Sequence, residues 1–203
     1  SPLSTSDLGL LGMFSLLVAV IAWLITFYFL SQQRRFDREI LQGIKHDQFY
    51  LLYQPVIHAE THLPGGFEAL VRWKHPKLGL IPPDEFIPYC ESQGLIVQLT
   101  QHIMALAARD AHRLIDVVPK GTKLGLNISP LHMTLDGFKN DVLHFINMMP
   151  TEYFIPLFEI TERSMVQHGG AEAIFDWLHS QGIEIAIDDF GTGHSALIYL
   201  QRY

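Results

Sequence analysis

The hydrophobic pattern divides the chain into one long apolar segment and a following region of short apolar runs. Residues 8–30 carry no charge and are mostly Leu, Ile, Val and Phe. At about 1.5 Å of rise per residue, a helix of this length spans about 34 Å, which exceeds the hydrocarbon core of a bilayer, about 30 Å. Trp23 and Tyr28 lie in its C-terminal half, as interfacial aromatic residues would. The pattern predicts a transmembrane helix over residues 8–30.

The flanks of this segment indicate its orientation. A secretory signal has a basic leader, whereas this leader carries Asp7 and no basic residue. The positive-inside rule places the rest of the chain in the cytoplasm, because four basic residues follow the segment: Arg34, Arg35, Arg38 and Lys45. We therefore predict an extracytoplasmic remnant over 1–7, a juxtamembrane linker helix over 31–46 and a cytoplasmic domain over 47–203.

The region after residue 46 alternates between apolar strands and helices with one apolar stripe. Strands are predicted over 49–57, 66–73, 122–129, 155–161 and 183–189, with a loop over 79–83. Helices are predicted over 83–94, 96–116, 137–148 and 171–181. Such alternation indicates a parallel sheet covered by helices, and both a TIM barrel and a doubly wound sheet fit it.

The positions of polar residues favour the barrel. Six of them lie within, or at the C-terminal end of, five successive predicted strands: Gln54, Glu68, Asn127, Glu159, Asp188 and Asp189. Barrel active sites are built at that end. No Gly-x-Gly-x-x-Gly or Walker loop follows the first strand, which removes the main reason to expect a Rossmann-like site. We predict an α/β fold of the TIM (β/α)8 type, represented by about five strands and preceded by one transmembrane helix.

Composition and charge narrow the function classes. The chain has 203 residues, with 21 acidic and 14 basic residues and a net charge of −7. This balance argues against binding to a DNA or RNA polymer, which needs a basic surface. Cys90 is the single cysteine, so no internal disulfide forms, in agreement with a reducing compartment. The histidines show no His-x-His or His-Glu-x-x-His zinc pattern.

Two adjacent carboxylates, Asp188 and Asp189, end the last predicted strand before a glycine-flanked turn. Neighbouring anions repel each other unless a cation neutralises them. Together with Glu68, Asn127 and Glu159 they form a set of hard oxygen donors, which suits Mg²⁺ or Mn²⁺. Two such ions about 3.5–4 Å apart would activate a water and stabilise the leaving oxygen of a phosphodiester. Asp188 is the candidate bridging ligand, and Asp189 the candidate ligand of the second ion.

Two further residues are candidates for binding a substrate. Arg72 lies four residues after Glu68, so both side chains can share one strand face, and a guanidinium there would bind a phosphate. Gln54 is a candidate hydrogen-bond partner for a base or a phosphate. Taken singly, Glu68 or Arg72 would be a salt-bridged surface residue and Asn127 a helix cap. The joint pattern favours a functional site.

Six short motifs together resemble the EAL-domain family in order and spacing: Tyr53-Gln54-Pro55, Glu68 to Trp73, His75-Pro76, Asn127-Ile128-Ser129, Glu159 to Glu162, and Asp188 to Gly193. The resemblance covers about residues 45–203, and its specificity comes from the set, since Glu-Ala-Leu alone would mean nothing. It implies a TIM-barrel phosphodiesterase that hydrolyses cyclic di-GMP to pGpG with Mg²⁺ or Mn²⁺ in bacterial second-messenger signalling.

The resemblance also implies roles for individual residues. Glu68, Asn127, Glu159 and Asp188 match ligands of a first metal ion, and Asp188 and Asp189 match the side of a second. Gln54 and Arg72 match positions that contact the substrate. The membrane segment directly before the domain is similar to that of bacterial inner-membrane members with a periplasmic sensor upstream. Family barrels often form homodimers.

The ends of the chain lead to an expectation about activity. The chain begins at Ser1 and stops at Tyr203, soon after the fifth predicted strand, whereas the family barrel continues with a lysine, a glutamate and a glutamine. We expect an active parent enzyme, and a 203-residue piece that is inactive and poorly stable because its sheet edge is open. One alternative is a catalytically silent cyclic di-GMP receptor, which need not keep intact metal ligands. Another is a different metal-dependent barrel hydrolase.

Overall fold

The computed structural model describes residues 5–57, 64–161 and 171–188. It divides into two compact units, residues 1–45 and residues 46–203, which are described separately. The first unit contains helix α1 (Thr5–Lys45) of 41 residues. This helix is long and apolar enough to cross a membrane, by length and composition. The predicted segment 8–30 and the predicted linker helix, as far as Lys45, are therefore parts of one continuous helix.

The second unit is a sheet flanked by helices. Its strands are β1 (Phe49–Ile57), β2 (Pro64–His75), β3 (Gly79–Ile81), β4 (Thr122–Asn127), β5 (Phe154–Thr161) and β6 (Glu184–Asp188). Its helices are α2 (Pro83–Gln93), α3 (Ile96–Leu114), α4 (Pro130–Met133), α5 (Phe138–Met148) and α6 (Ala171–Ser180). The four longer helices begin and end close to their predicted bounds.

The sheet has the strand order β1-β2-β4-β5-β6, with β3 paired to the end of β2. Strands β2, β4, β5 and β6 are parallel, as predicted. Strand β1 runs antiparallel to β2, so the sheet begins with a hairpin that the apolar pattern did not predict. The residues predicted as a loop at 79–83 contribute the short strand β3, which also pairs antiparallel with β2.

Alternation along the strands separates a helix-covered face from a concave face. On β2, Ala69, Val71 and Trp73 are buried, whereas the intervening Glu68 and Arg72 are half-buried on the other face. Side chains on the covered face pack as aromatic clusters, among them Trp73 with Phe86 of α2, Phe49 with Trp73, and Phe145 of α5 with Phe158 of β5. Because successive strand residues point to opposite faces, this packing fixes which residues face the concave side.

Strand β2 changes its neighbour along its length, which opens a cavity. It pairs with β4 as far as Ala69 and with β3 from Trp73 onward. The residues between these pairings line a cavity of about 450 Å³ together with α2, α3 and the turn after β4. Helix α2 ends at Gln93, and its C-cap Gly94 has a left-handed φ of 71°, where the chain turns into α3.

Candidate metal and phosphate site

Strand register brings three of the predicted ligands together on the concave face. Glu68 of β2 pairs with Gly125 of β4, two residues before Asn127, and Asn127 in turn pairs with Glu159 of β5. The side-chain amide of Asn127 donates a hydrogen bond from Nδ2 to Oε1 of Glu68 over 2.8 Å. The sequence prediction that these strands place Glu68, Asn127 and Glu159 near one another therefore agrees with the structure.

The carboxylate of Glu159 lies directly over Gly125. A Cβ built on Gly125 would overlap Oε1 of Glu159 and would lie 3.2 Å from its Cδ. The contact is steric, since Gly125 has no left-handed φ that would itself require glycine. Glu159 thus leans across β4 toward the strand that carries Glu68.

The cavity beside these residues combines polar and apolar walls. Arg72, Asn127 and Glu159 line it together with apolar side chains of β2, α2 and α3, including Leu70, Ile87, Ile96, Leu99 and Ile103. The guanidinium of Arg72 donates one hydrogen bond from Nη1 to the carbonyl oxygen of Val71 over 2.8 Å. A cation at the edge of a partly apolar cavity is suited to hold an anionic ligand that also carries flat rings.

Gln54 lies in the same region, although its strand runs in a direction that the sequence did not predict. The sequence predicts Gln54 among successive strands whose carboxyl ends converge, yet β1 is antiparallel to β2. The hairpin register nevertheless sets Gln54 opposite Glu68, and paired residues of adjacent strands share a face. The predicted direction of β1 is therefore wrong, but Gln54 and Glu68 lie side by side because of the hairpin register.

The last two predicted ligands are described only in part. Asp188 is the final residue of β6, and its backbone pairs with that of Thr161 of β5. The structure describes the backbone position of Asp188 but not its side chain, and Asp189 lies outside the described residues. The roles assigned to both stay predictions.

The donor set fits a hard divalent cation. Glu68 and Glu159 supply carboxylate oxygens and Asn127 supplies an amide oxygen, which are ligands that Mg²⁺ and Mn²⁺ accept. Within the ranges 5–57, 64–161 and 171–188, no group of three His, Cys, Asp or Glu side chains is arranged to hold a metal. That result is compatible with the fit, because the third donor is an amide and the carboxylates predicted to complete the set belong to Asp188 and Asp189.

Two contacts near the site were not predicted from the sequence. The hydroxyl of Ser129 donates a hydrogen bond to Oε1 of Glu91 on α2 over 2.6 Å, which ties the turn after Asn127 to that helix. The second is the contact between Gly125 and Glu159 described above. Ser129 belongs to the Asn127-Ile128-Ser129 motif, so its proximity to the site could be expected. Nothing in the sequence distinguishes Glu91 from a solvent-exposed glutamate of a helix.

Two ionisable groups near β1 have shifted pKa values. Burial raises the pKa of the Tyr53 phenol, and the carboxylate of Asp110 raises it further. The Tyr53 hydroxyl donates to Oδ2 of Asp110 over 3.0 Å, which fixes β1 to α3 beside Gln54. Burial lowers the pKa of His102, with Asp47 opposing the shift. The neutral phenol and the neutral imidazole are therefore the favoured forms in the fold.

Taken together, the fold and the site define a TIM-barrel-like α/β protein with hard oxygen donors and an arginine at the carboxyl ends of its parallel strands. The EAL domain family matches residues 37–203, and the chain belongs to that family. The phosphodiesterases of this family are metal-dependent.

Individual relatives agree with this assignment. The probable cyclic di-GMP phosphodiesterase PdeN of Escherichia coli (strain K12) is 50% identical over 180 residues, which cover 89% of this chain and 35% of PdeN. The cyclic di-GMP phosphodiesterase PdeL of the same organism is 38% identical over 162 residues, covering 79% of this chain and 45% of PdeL. The chain thus spans less than half the length of either relative.

A solved structure gives the same fold. The PaMucR phosphodiesterase in complex with c-di-GMP superimposes with a TM-score of 0.72 at 33% sequence identity. The match covers 81% of this chain and 67% of that chain. The predicted α/β, TIM-barrel-like fold and the predicted family are confirmed, and the described sheet has six strands where about five were predicted.

Proposed function

We propose that the protein is a cyclic di-GMP phosphodiesterase. Water adds to one phosphorus of the cyclic dinucleotide, one P–O3′ bond breaks, and the linear dinucleotide pGpG is released. The observation that carries the proposal is the convergence of Glu68, Asn127 and Glu159 at one edge of the sheet, next to Arg72. Family membership and the names of the relatives support the same reaction.

The proposed cofactors are Mg²⁺ or Mn²⁺, as two ions. Glu68, Asn127, Glu159, Asp188 and Asp189 would hold them. Such ions, when bound, lower the pKa of water and neutralise the charge that develops on phosphate oxygens. The hydrogen bond between Asn127 and Glu68 keeps two of these side chains together before any ion binds.

The other residues bind and orient the dinucleotide. Arg72 carries a guanidinium that can take two phosphate oxygens at once, and Gln54 offers both an amide donor and an acceptor. The apolar wall of the cavity, which includes Leu70 and Ile103, suits the flat face of a guanine and excludes water from it. Binding and metal coordination would thus be adjacent, since Arg72, Asn127 and Glu159 line the same cavity.

Hydrolysis by the full-length protein tests this proposal. The protein, purified in detergent and supplied with Mg²⁺ or Mn²⁺, is expected to convert cyclic di-GMP to pGpG. Chromatography measures the conversion. Glu68→Ala is expected to lower kcat/KM more than about 100-fold while the circular dichroism spectrum is retained. Glu85→Ala, at an exposed position of α2, is the matched control and should leave the rate unchanged. Equal rates for wild type and Glu68→Ala would contradict the assigned site.

The same assay separates an enzyme from a receptor. Tight binding of cyclic di-GMP by the wild type without pGpG formation would replace the proposal with a catalytically silent receptor. Turnover of other phosphodiesters in preference to cyclic di-GMP would favour a different hydrolase of the same fold. Glu68, Asn127 and Glu159 carry the oxygen donors that a divalent ion requires, and a pure receptor need not keep them, which supports the enzyme.

We also propose that α1 crosses the bacterial inner membrane and that the chain from residue 46 onward is cytoplasmic. The apolar part of α1 and the basic residues that follow it support this orientation. Fusions of alkaline phosphatase and a fluorescent protein to the C-terminus test it, since fluorescence without phosphatase activity is expected. A homodimer, and inactivity of the 203-residue chain by itself, stay predictions.

A further inference from the structure

Gly125 lies within β4, between the strands that carry Glu68 and Glu159. It is buried in β4 and lies in register between Glu68 of β2 and Leu157 of β5. Its position has the same parity along β4 as Asn127, so both face the concave side. A residue at this place forms the floor between the two carboxylates of the proposed metal site.

The absence of a side chain at position 125 creates the space that Glu159 uses. A Cβ there would overlap Oε1 of Glu159, which is the far end of a flexible side chain. The next contacts of that Cβ, Cδ of Glu159 at 3.2 Å and the carbonyl oxygen of Phe67 at 3.4 Å, are close but can be accommodated by small shifts. Alanine at this position therefore displaces the Glu159 carboxylate rather than the strands.

We propose that Gly125 is a positioning residue that sets where the Glu159 carboxylate lies relative to Glu68 and Asn127. The inference rests on the proposed function, because it takes Glu159 to be a metal ligand. Any side chain at position 125 lifts that carboxylate off β4 and away from the other two donors. Since hard divalent ions need their oxygens at defined distances, the consequence is a loss of metal affinity.

Gly66 supplies a contrast within the same sheet. A Cβ on Gly66 would lie 2.6 Å from the backbone oxygen of Lys123 and 2.8 Å from its Cβ. These atoms belong to the neighbouring strand β4 and cannot withdraw without moving its backbone. Gly66→Ala is thus expected to disturb the packing of β2 on β4, whereas Gly125→Ala disturbs a side chain.

The test measures Mn²⁺ binding by isothermal titration calorimetry, and thermal unfolding in EDTA, on the full-length protein without substrate. Gly125→Ala is expected to unfold at the wild-type temperature or up to about 4 °C above it, and to bind Mn²⁺ about 10- to 100-fold more weakly. Gly66→Ala is expected to unfold at a lower temperature, with the Mn²⁺ affinity of the folded fraction unchanged. Failure of Gly125→Ala to fold would overturn the proposal, because it would show that the Glu159 side chain cannot move aside to accommodate the added Cβ.

A second substitution separates positioning from a general structural effect. Glu159→Asp shortens the side chain by one methylene, so its carboxylate no longer reaches over Gly125. The Gly125→Ala effect on Mn²⁺ affinity is expected to be large in the wild-type background and to vanish in the Glu159→Asp background. Equal effects in both backgrounds would overturn the proposal.

A structural readout keeps this inference distinct from the proposed function. In a metal-free crystal structure of Gly125→Ala, the Glu159 carboxylate should be displaced from β4 while the backbones of β4 and β5 superimpose on wild type. An unmoved carboxylate would overturn the inference even if the wild type hydrolyses cyclic di-GMP. Absence of Mn²⁺ binding and turnover in the wild type, with a displaced carboxylate in the variant, would instead overturn the proposed function and leave the steric role of Gly125 in place.

Discussion

The side-chain amide of Asn127 donates a hydrogen bond to the carboxylate of Glu68 over 2.8 Å, and this bond joins the end of β4 to β2. An amide is well suited to this position, because Nδ2 can satisfy Glu68 when no cation is near and Oδ1 remains available as an oxygen ligand. A carboxylate at position 127 would instead repel Glu68 until a cation bound.

We predict that Asn127→Asp makes the fold dependent on a divalent ion. Loss of the hydrogen bond and the new repulsion should lower the free energy of unfolding in EDTA by about 1 kcal/mol, or the Tm by about 2–4 °C. Added Mg²⁺ or Mn²⁺ should raise the Tm of the variant more than that of wild type. Asn140→Asp, at an exposed position of α5, is the control. An unchanged Tm in EDTA would show that the bond contributes nothing to the fold.

We predict that Arg72→Lys weakens substrate binding more than it slows the reaction. Lysine keeps the positive charge but loses the planar fork that binds two phosphate oxygens. KM for cyclic di-GMP should rise about 10-fold, corresponding to about 1.4 kcal/mol, with a smaller change in kcat. Arg113→Lys, at an exposed position of α3 that forms an ion pair with Asp110, should leave both constants unchanged. A fall in kcat at constant KM would place Arg72 in the chemical step instead.

We predict that Phe158→Ala destabilises the domain although the residue faces away from the site. Phe158 is fully buried on β5 and stacks on Phe145 with 6.1 Å between ring centroids. Removal of a buried phenyl ring should cost about 3–5 kcal/mol, measured by urea unfolding of the whole chain in detergent. Leu143→Ala on α5, where the side chain is 40% exposed, should cost much less. Similar losses for both variants would contradict the assigned core.

We predict that the domain loses stability as the pH falls below about 6.5, and that His102 contributes to this loss. Burial lowers the pKa of His102 in the fold, so the unfolded chain binds a proton at a higher pH than the folded chain does. The contribution of His102 is therefore fully present above the pKa of the unfolded state and is lost as the pH falls toward the folded pKa. His102→Phe should flatten the curve of Tm against pH between 7 and 5.

The surroundings of His102 define the control for this measurement. Asp47 favours the protonated ring and Arg109 disfavours it, and the ring packs edge-on against Phe49 at 6.2 Å between centroids. Phenylalanine keeps the ring packing and removes the titration. His144→Phe, at an exposed position of α5, is the matched control for replacing a histidine by phenylalanine. The same slope for wild type and His102→Phe would exclude His102 as the source.

The sequence was sufficient for elements whose pattern is local. The apolar stripe of α3 predicts five residues on one face, of which Leu99, Leu106 and Ala107 are buried and Ile103 and Leu114 are half-buried. The predicted helix 83–94 extends one residue beyond α2, because Gly94 is its left-handed C-cap. The direction of β1 could not be predicted, because a strand that is apolar on both faces looks the same in a hairpin and in a parallel sheet. Strand β3 has three residues, too few for any periodicity.

The candidate site likewise combines features that the local sequence predicts with features that it does not. The placement of Glu68, Asn127 and Glu159 within, or at the C-terminal end of, neighbouring strands was enough to predict that they meet, since barrel active sites are built at that end. The hydrogen bond between Ser129 and Glu91, and the space over Gly125, depend on the register between elements distant in the sequence. Hydrophobic periodicity fixes which face a residue occupies but carries no information on which partner lies opposite.

The floor at Gly125 also bears on attempts to make this domain more robust. Glycine inside a strand typically weakens it by about 0.5–1 kcal/mol relative to alanine, so a selection for thermal tolerance alone would favour a larger residue there. Because the Glu159 side chain can move aside, a substitution of Gly125 would still fold and would pass a screen for folding. Selection for heat resistance alone is therefore expected to accept substitutions of Gly125 that leave the protein folded but weaken metal binding. Stabilising designs should keep this glycine unchanged.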